Sequence, residues 1–205
     1  MDLNFIPKSY TFKQVFIQNS NAIDPQPGYI GDVPGCPMYE NHMAALDFVL
    51  NNDWELSKHT CLDIHRILTK GIPFFENNNG SGLYRDCDVY IGGKKCPPSY
   101  LLNDLMELWY INTIDLLNSD IAPEIIAWIS HHMFENIHPF IDGNGRTGRL
   151  LLNKILVQLG QEPVVIYYSN RFDYYESITA FENRHFKNNK FIDLDTYLDY
   201  NYGIR

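Results

Sequence analysis

Between Pro123 and Ile137 the chain is apolar on most of its helical faces, with Ile125, Ile126, Trp128, Ile129 and Met133 spread around the wheel. A helix of that kind is stable only when it is surrounded. The remainder of the chain is therefore expected to wrap around it. Pro123 suits the first helical turn, where its missing N–H costs nothing. Pro139 disfavours helical geometry at the preceding residue, so the helix is expected to stop near His138.

The flanking sequence supplies helices for the wrapping. Met38 to Leu50 reads as a helix that ends at Asn51-Asn52-Asp53. Ser57 is the expected N-cap of a second helix, with Cys61, Ile64 and Leu68 on one stripe. Ser99 is the expected cap of a third, with Leu101, Leu105, Trp109, Asn112 and Leu116 in register. After the central helix, a further one starts near Asn144, carries Leu150, Leu151, Ile155, Leu156 and Leu159, and ends at Gly160. Two more helical stretches follow, Phe172 to about Lys187 and Leu194 to Tyr200. Gly71 to Pro98 reads as irregular, except that Asp88 to Lys95 alternates and turns at Gly92-Gly93, which signals a hairpin. The fold class is mainly α with one small β-hairpin.

Upstream, Phe12, Phe16 and Ile23 share a helical face, and Asp24 to Pro37 is dense in Pro and Gly, hence a loop. Residues 1–37 are read as an N-terminal segment and 38–205 as the domain. No apolar run reaches the length of a membrane helix and no leader precedes the first element, so a cytoplasmic protein without a membrane partner is expected. The net charge of −9 opposes a general nucleic-acid surface, which needs Lys and Arg to neutralise phosphates. Cys36, Cys61, Cys87 and Cys96 form no C-x-x-C pair and read as free thiols, with a Cys87–Cys96 bridge across the hairpin as the less favoured alternative.

The chemistry concentrates in His138-Pro139-Phe140-Ile141-Asp142-Gly143-Asn144-Gly145-Arg146-Thr147-Gly148-Arg149. Gly143 and Gly145 allow close backbone approach, and their N–H groups at a helix start form an anion cradle. Arg146 and Arg149, three apart, add two guanidinium forks suited to polyphosphate. Asp142 is a hard oxygen ligand for Mg²⁺, and His138 is a candidate general base. Each residue also has a simpler reading: a hydrogen-bonded helix-end His, turn and cap residues at Asp142 and Asn144, and solvent-facing arginines. Their concentration within one loop favours the functional reading. Gly-Lys-[Ser/Thr] is missing, which rules out a Walker A loop. A His131, His132, His138 zinc site is disfavoured because adjacent histidines on a helix diverge.

The segment resembles the Fic signature H-P-F-x-[D/E]-G-N-G-R-x-x-R at every fixed position. Gly82-Leu83-Tyr84-Arg85, Val89-Tyr90-Ile91-Gly92 and Pro97-Pro98 resemble the family's flap, Leu62 to Leu68 the preceding helix, and Tyr174-Tyr175 the region after the motif. The resemblance implies a Fic-type helical core and protein adenylylation. His138 would deprotonate a Ser, Thr or Tyr hydroxyl of a target protein that attacks the α-phosphate of ATP. Asp142 would hold Mg²⁺, with Mn²⁺ as an alternative. Gly143, Asn144, Gly145, Arg146 and Arg149 would bind phosphates, and Tyr174 or Tyr175 the nucleoside. Val89, Tyr90, Ile91 and Gly92 would dock the target by strand addition. Gly145 departs from the Lys of phosphorylating Doc relatives, and Gly143 from the Ala of phosphocholine-transferring ones. Family members often form homodimers.

Ser20-Asn21-Ala22-Ile23-Asp24-Pro25 resembles the family's inhibitory [S/T]-x-x-x-E-[G/N], with Asp for Glu and Pro for Gly or Asn. Asp24 is expected near Arg149, against the alternative that Ser20 and Asp24 only end a helix. Competing functions are removal of AMP, transfer of another nucleotide such as UMP, a toxin-like or regulatory module with a silent site, and a nucleic-acid regulator.

Overall fold

A computed structural model describes residues 11–24, 34–51, 55–78, 80–187 and 190–191. The elements are α1 (Phe12–Ile23), α2 (Pro37–Leu50), α3 (Thr60–Thr69), α4 (Pro73–Asn77), β1 (Tyr90–Ile91), β2 (Lys94–Lys95), α5 (Leu102–Leu117), α6 (Pro123–Ile137), α7 (Asn144–Gln158), α8 (Arg171–His185), β3 (Phe186–Lys187) and β4 (Lys190–Phe191). Helix α6 is the expected central element: every residue from Ile129 to Ile137 is buried. It packs against α5, α7 and α8, while α2 packs on α3 and α7 and α1 lies across α2 and α7. Trp109 of α5 is fully buried and donates its indole N–H to the Ser130 carbonyl at 2.8 Å, which fixes α5 on α6.

Strands β1 and β2 form the expected antiparallel hairpin, with Tyr90 opposite Lys95 and Ile91 opposite Lys94. Gly92 and Gly93 both have positive φ, 56° and 84°, as a two-residue hairpin turn requires. All four strand residues are exposed.

Several expectations are corrected. Helix α3 begins at Thr60, not after Ser57, because Ser57 instead forms a turn in which its carbonyl accepts from Thr60 N–H at 3.0 Å. Ser99 does not cap α5. It opens a 3₁₀ turn and donates its hydroxyl to the Asp86 carbonyl at 3.2 Å. The buried stripe of α5 is Leu102, Leu105, Met106, Trp109, Thr113 and Leu116, so Leu101 and Asn112 lie one position off it. The stretch from Gly71 to Pro98 contains α4, which Pro73 starts and which buries Phe75. Helix α8 stops at His185, and Phe186–Lys187 enter a second small hairpin. The stretch from Leu194 to Tyr200 and most of the Pro/Gly-rich loop after Asp24 lie outside the described residues. All four cysteines are free. Among the described residues no helix is long and apolar enough to cross a membrane.

Candidate active site

The α6–α7 loop is built on Phe140. Its ring is fully buried and stacks on the imidazole of His65, with centroids 3.8 Å apart and planes at 5°. Asn144 closes the loop onto the same residue, accepting from Phe140 N–H at 2.8 Å and donating to its carbonyl at 2.9 Å. The side-chain amide is thus a loop clamp, which leaves the Asn144 backbone N–H for an anion. Gly143 caps α7 with φ 79°, and a Cβ there would lie 3.3 Å from His65 Nε2. A side chain at that position is both strained and crowded.

His138 adopts left-handed backbone, φ 52° and ψ 62°, a rare conformation for a non-glycine residue that stores on the order of 1–3 kcal/mol of strain. It completes α6 by donating its N–H to the Phe134 carbonyl at 3.0 Å. Burial, assisted by the Arg85 charge, lowers its pKa to about 4. The imidazole is therefore neutral near pH 7, the form a general base requires.

Both arginines are buried, Arg146 at 3 % exposure and Arg149 at 1 %, so the solvent-facing alternative is excluded. Arg146 is 3.7 Å from an Asp142 oxygen. Arg149 Nε donates to Ser20 Oγ at 2.9 Å, and Nη2 donates to the Ser20 carbonyl at 2.8 Å and to Asp24 Oδ2 at 2.9 Å. Asp24 and Ser20 thus meet Arg149 as expected from the N-terminal pattern. Burial opposes the Arg149 charge, but Asp24, Tyr174 and Glu135 outweigh it, and the guanidinium pKa is raised. A Cβ on Gly145 would lie 2.0 Å from Asp24 Oδ2, so the carboxylate occupies the space that glycine leaves above the cradle.

These groups line one cavity of about 610 Å³, shared by His138, Asp142 to Arg146, Arg149, Asp24, Tyr174, Tyr175 and the flap residues Tyr90, Ile91 and Gly92. Val89 is not among its walls; it accepts from Cys96 N–H at 3.0 Å at the base of the hairpin. Tyr174 is buried with its hydroxyl 3.0 Å from His131 Nε2, and the Tyr175 hydroxyl donates to the Ile23 carbonyl at 2.7 Å. Both hydroxyls are spent on the protein, and ring surface remains for a nucleoside. Asp142 presents a half-exposed carboxylate that also accepts from Gly143 N–H at 2.5 Å. No group of three His, Cys, Asp or Glu able to hold a metal occurs among the described residues. One hard carboxylate beside a phosphate cradle still fits a magnesium ion that takes its remaining ligands from phosphate and water.

Three site groups escape the sequence reading. His65 accepts from Gly82 N–H on Nδ1 at 3.0 Å, so its Nε2 carries the proton and donates to the Asp142 carbonyl at 3.0 Å. Burial lowers its pKa to about 3, which keeps that tautomer neutral. Arg85 is buried beneath the flap. Glu135 lines the cavity, is 7 % exposed, and burial raises its pKa to about 8. His65 and Arg85 stand inside segments that carry the family resemblance, but their roles depend on contacts 17 to 77 residues distant. Glu135 carried no local signal.

Comparison with known proteins agrees with this geometry. Residues 55–156 match the family model described as the Fic/DOC family. A protein adenylyltransferase Fic of Drosophila willistoni is 36% identical over 125 residues, covering 59% of this chain and 24% of its own length. One of Nematostella vectensis is 40% identical over 104 residues, covering 47% and 22%. The chain thus spans about a quarter of the length of these curated relatives. Among solved structures, a Fic domain-containing signaling protein from Bacteroides thetaiotaomicron superposes with a TM-score of 0.67 at 20% identity, covering 82% of this chain and 70% of its own. Fic-1 from C. elegans does so with 0.65 at 25% identity, covering 87% and 60%. The matched model, the named relatives and the shared architecture agree with the complete loop signature: the chain belongs to the Fic/DOC family.

Proposed function

We propose that the chain is a protein adenylyltransferase, which moves AMP from ATP to a hydroxyl side chain of another protein. The observation that carries the reading is the convergence of a neutral, partly buried His138, an N–H cradle, two buried arginines and the flap on one cavity. Curated relatives named as protein adenylyltransferases support it.

In this reading His138 takes the proton of the target hydroxyl. The hydroxyl oxygen forms a bond to the α-phosphorus, the bond to the β-phosphate oxygen breaks, and pyrophosphate leaves. Backbone N–H groups of Gly143, Asn144 and Gly145 hold phosphate oxygens, the Gly143 N–H giving up its bond to Asp142 to do so, and Arg146 and Arg149 hold the β- and γ-phosphates. Asp142 would hold Mg²⁺, or Mn²⁺, which accepts the same oxygen donors and neutralises phosphate charge. The exposed β1–β2 edge, rimmed by Val89 to Gly92, takes the target backbone as an added strand and sets its hydroxyl in line with the α-phosphate. Tyr174 and Tyr175 offer ring surface to the nucleoside. Four free thiols suit a reducing compartment such as the cytoplasm.

A second reading concerns restraint. Asp24 and Ser20 occupy the Arg149 donors that would otherwise meet the γ-phosphate. The free site is therefore self-inhibited, and Asp24 must withdraw for ATP to bind productively.

Labelling with ATP carrying the isotope at either the α- or the γ-phosphate tests the reaction class. Label on protein from the α-position alone, lost in His138→Ala, is expected. Label from the γ-position would mean phosphorylation and would overturn the assignment.

A further inference from the structure

Arg85 is one of the few charged side chains with almost no exposure, 5 %, and among the described residues it makes no ion pair; all of its described bonds go to backbone carbonyls. Nε donates to the His138 carbonyl at 2.9 Å. Nη1 donates to the Cys87 carbonyl at 2.8 Å and Nη2 to the Pro97 carbonyl at 2.6 Å. Its backbone N–H donates to the Pro139 carbonyl at 2.9 Å. One residue therefore grips the two successive carbonyls at which the chain leaves the left-handed turn, those of His138 and Pro139, and also the segments on either side of the flap hairpin, at Cys87 and Pro97.

The flap needs such a grip. Its ladder is two residue pairs long, its strand residues are exposed, and a Cβ at either turn glycine would meet nothing within 4 Å. A hairpin that short is marginal by itself. The left-handed backbone of His138 likewise persists only where neighbours hold it. A planar guanidinium with three donors fixed in one fork imposes a relation among its acceptors that a lysine ammonium on a flexible stem does not.

We infer that Arg85 is a positioning residue that sets the target-docking flap and the backbone of His138 at a fixed separation, so that a hydroxyl carried on the flap meets the imidazole. The inference rests on the function proposed above. The phosphate cradle is held by a separate set of contacts, His65 to Asp142 and Asn144 to Phe140, so ATP binding and hydroxyl positioning are separable in this site.

The test uses Arg85→Lys, which keeps the charge and loses the fork, beside His138→Ala in the full chain. ATP affinity by calorimetry, transfer to a protein acceptor, and amide exchange at Cys96, whose N–H closes the hairpin base, are measured for each. Arg85→Lys is expected to hold ATP affinity within about twofold, to lower transfer about 100-fold, the scale of a misplacement near 1 Å, and to speed exchange at Cys96. Wild-type transfer in Arg85→Lys, or ATP affinity falling in step with transfer, overturns the inference, since the residue would then be dispensable or would serve only the fold. Should the variant fold poorly, the wild type still decides: the Arg85 Nε–H is expected to exchange as slowly as the Cys96 amide, and rapid exchange of Nε–H overturns the coupling. Transfer that persists in His138→Ala would instead overturn the functional reading, and the two failures are thereby distinguished.

Discussion

His138 is where the local sequence and the tertiary structure act on the same atom. Pro139 ends α6 one residue after it, and burial then strips the ring of its charge. In the reaction proposed here the base acts only when unprotonated, so lowering the His138 pKa to about 4 moves the acid limb of the transfer rate down from the ordinary histidine range near 6.5. Transfer is expected to stay level as pH falls through 6 and to decline only as pH approaches 4, read from the acid limb of kcat/KM with a folded-state control at each pH. A limb near 6.5 would contradict an imidazole held neutral by its surroundings. The motif residues were legible because twelve consecutive positions carry them. Asp24 was legible only as a degenerate match, and the three Arg149 bonds to Ser20 and Asp24 are what give it meaning. His65 and Arg85 were not legible as site residues, because each acts on the loop from a distant element.

At the scale of the element, the α6–α7 loop is a shape held by Phe140 and Asn144 before it is a binding site. Phe140→Ala removes a fully buried ring from between His65, Tyr84 and Phe134. It is expected to cost about 3–5 kcal/mol, the usual range for such a deletion. Urea unfolding checks the value, and a loss below about 1 kcal/mol would mean that the loop is held otherwise. Helix α6 was read correctly at both ends because prolines bound it. The starts of α3 and α5 do not follow their serines, because the N-cap positions are His59 and Leu101 rather than Ser57 and Ser99. In fact Ser57 builds a turn, and Ser99 bonds to Asp86 in the segment leading to the flap. A serine before an apolar stripe announces a turn as readily as a cap.

Across the whole molecule, buried histidines set the response to acid. His42, His65, His131, His132 and His138 all have lowered pKa values, chiefly from burial. Below pH 6.5 the unfolded chain takes up protons on these groups that the folded chain refuses, so stability falls as pH drops towards the folded values, about 3 to 4 where they are defined. Glu135 acts in the opposite sense: raised to about 8, it favours the folded state progressively as pH falls from 8 to 4.5. Each group contributes about 1.4 kcal/mol per pH unit within its window, and five histidines outweigh one glutamate. Urea midpoints are expected to rise gently from pH 8 to about 6.5 and then to fall steeply. A midpoint that stays level down to pH 4.5 would contradict the buried neutral set. The helical class and the central helix were legible from apolar periodicity, whereas this polar interior was not, because a histidine on an apolar stripe looks the same whether it is packed or solvated.

The most direct test is intact mass of Asp24→Ala with Mg²⁺ and ATP, beside the same protein carrying His138→Ala as well. The account predicts that Asp24→Ala gains AMP and exceeds the wild type, because Arg149 is released to bind phosphate, and that the double variant gains none. Equal AMP on both proteins, or a phosphoryl group in place of AMP, would contradict it.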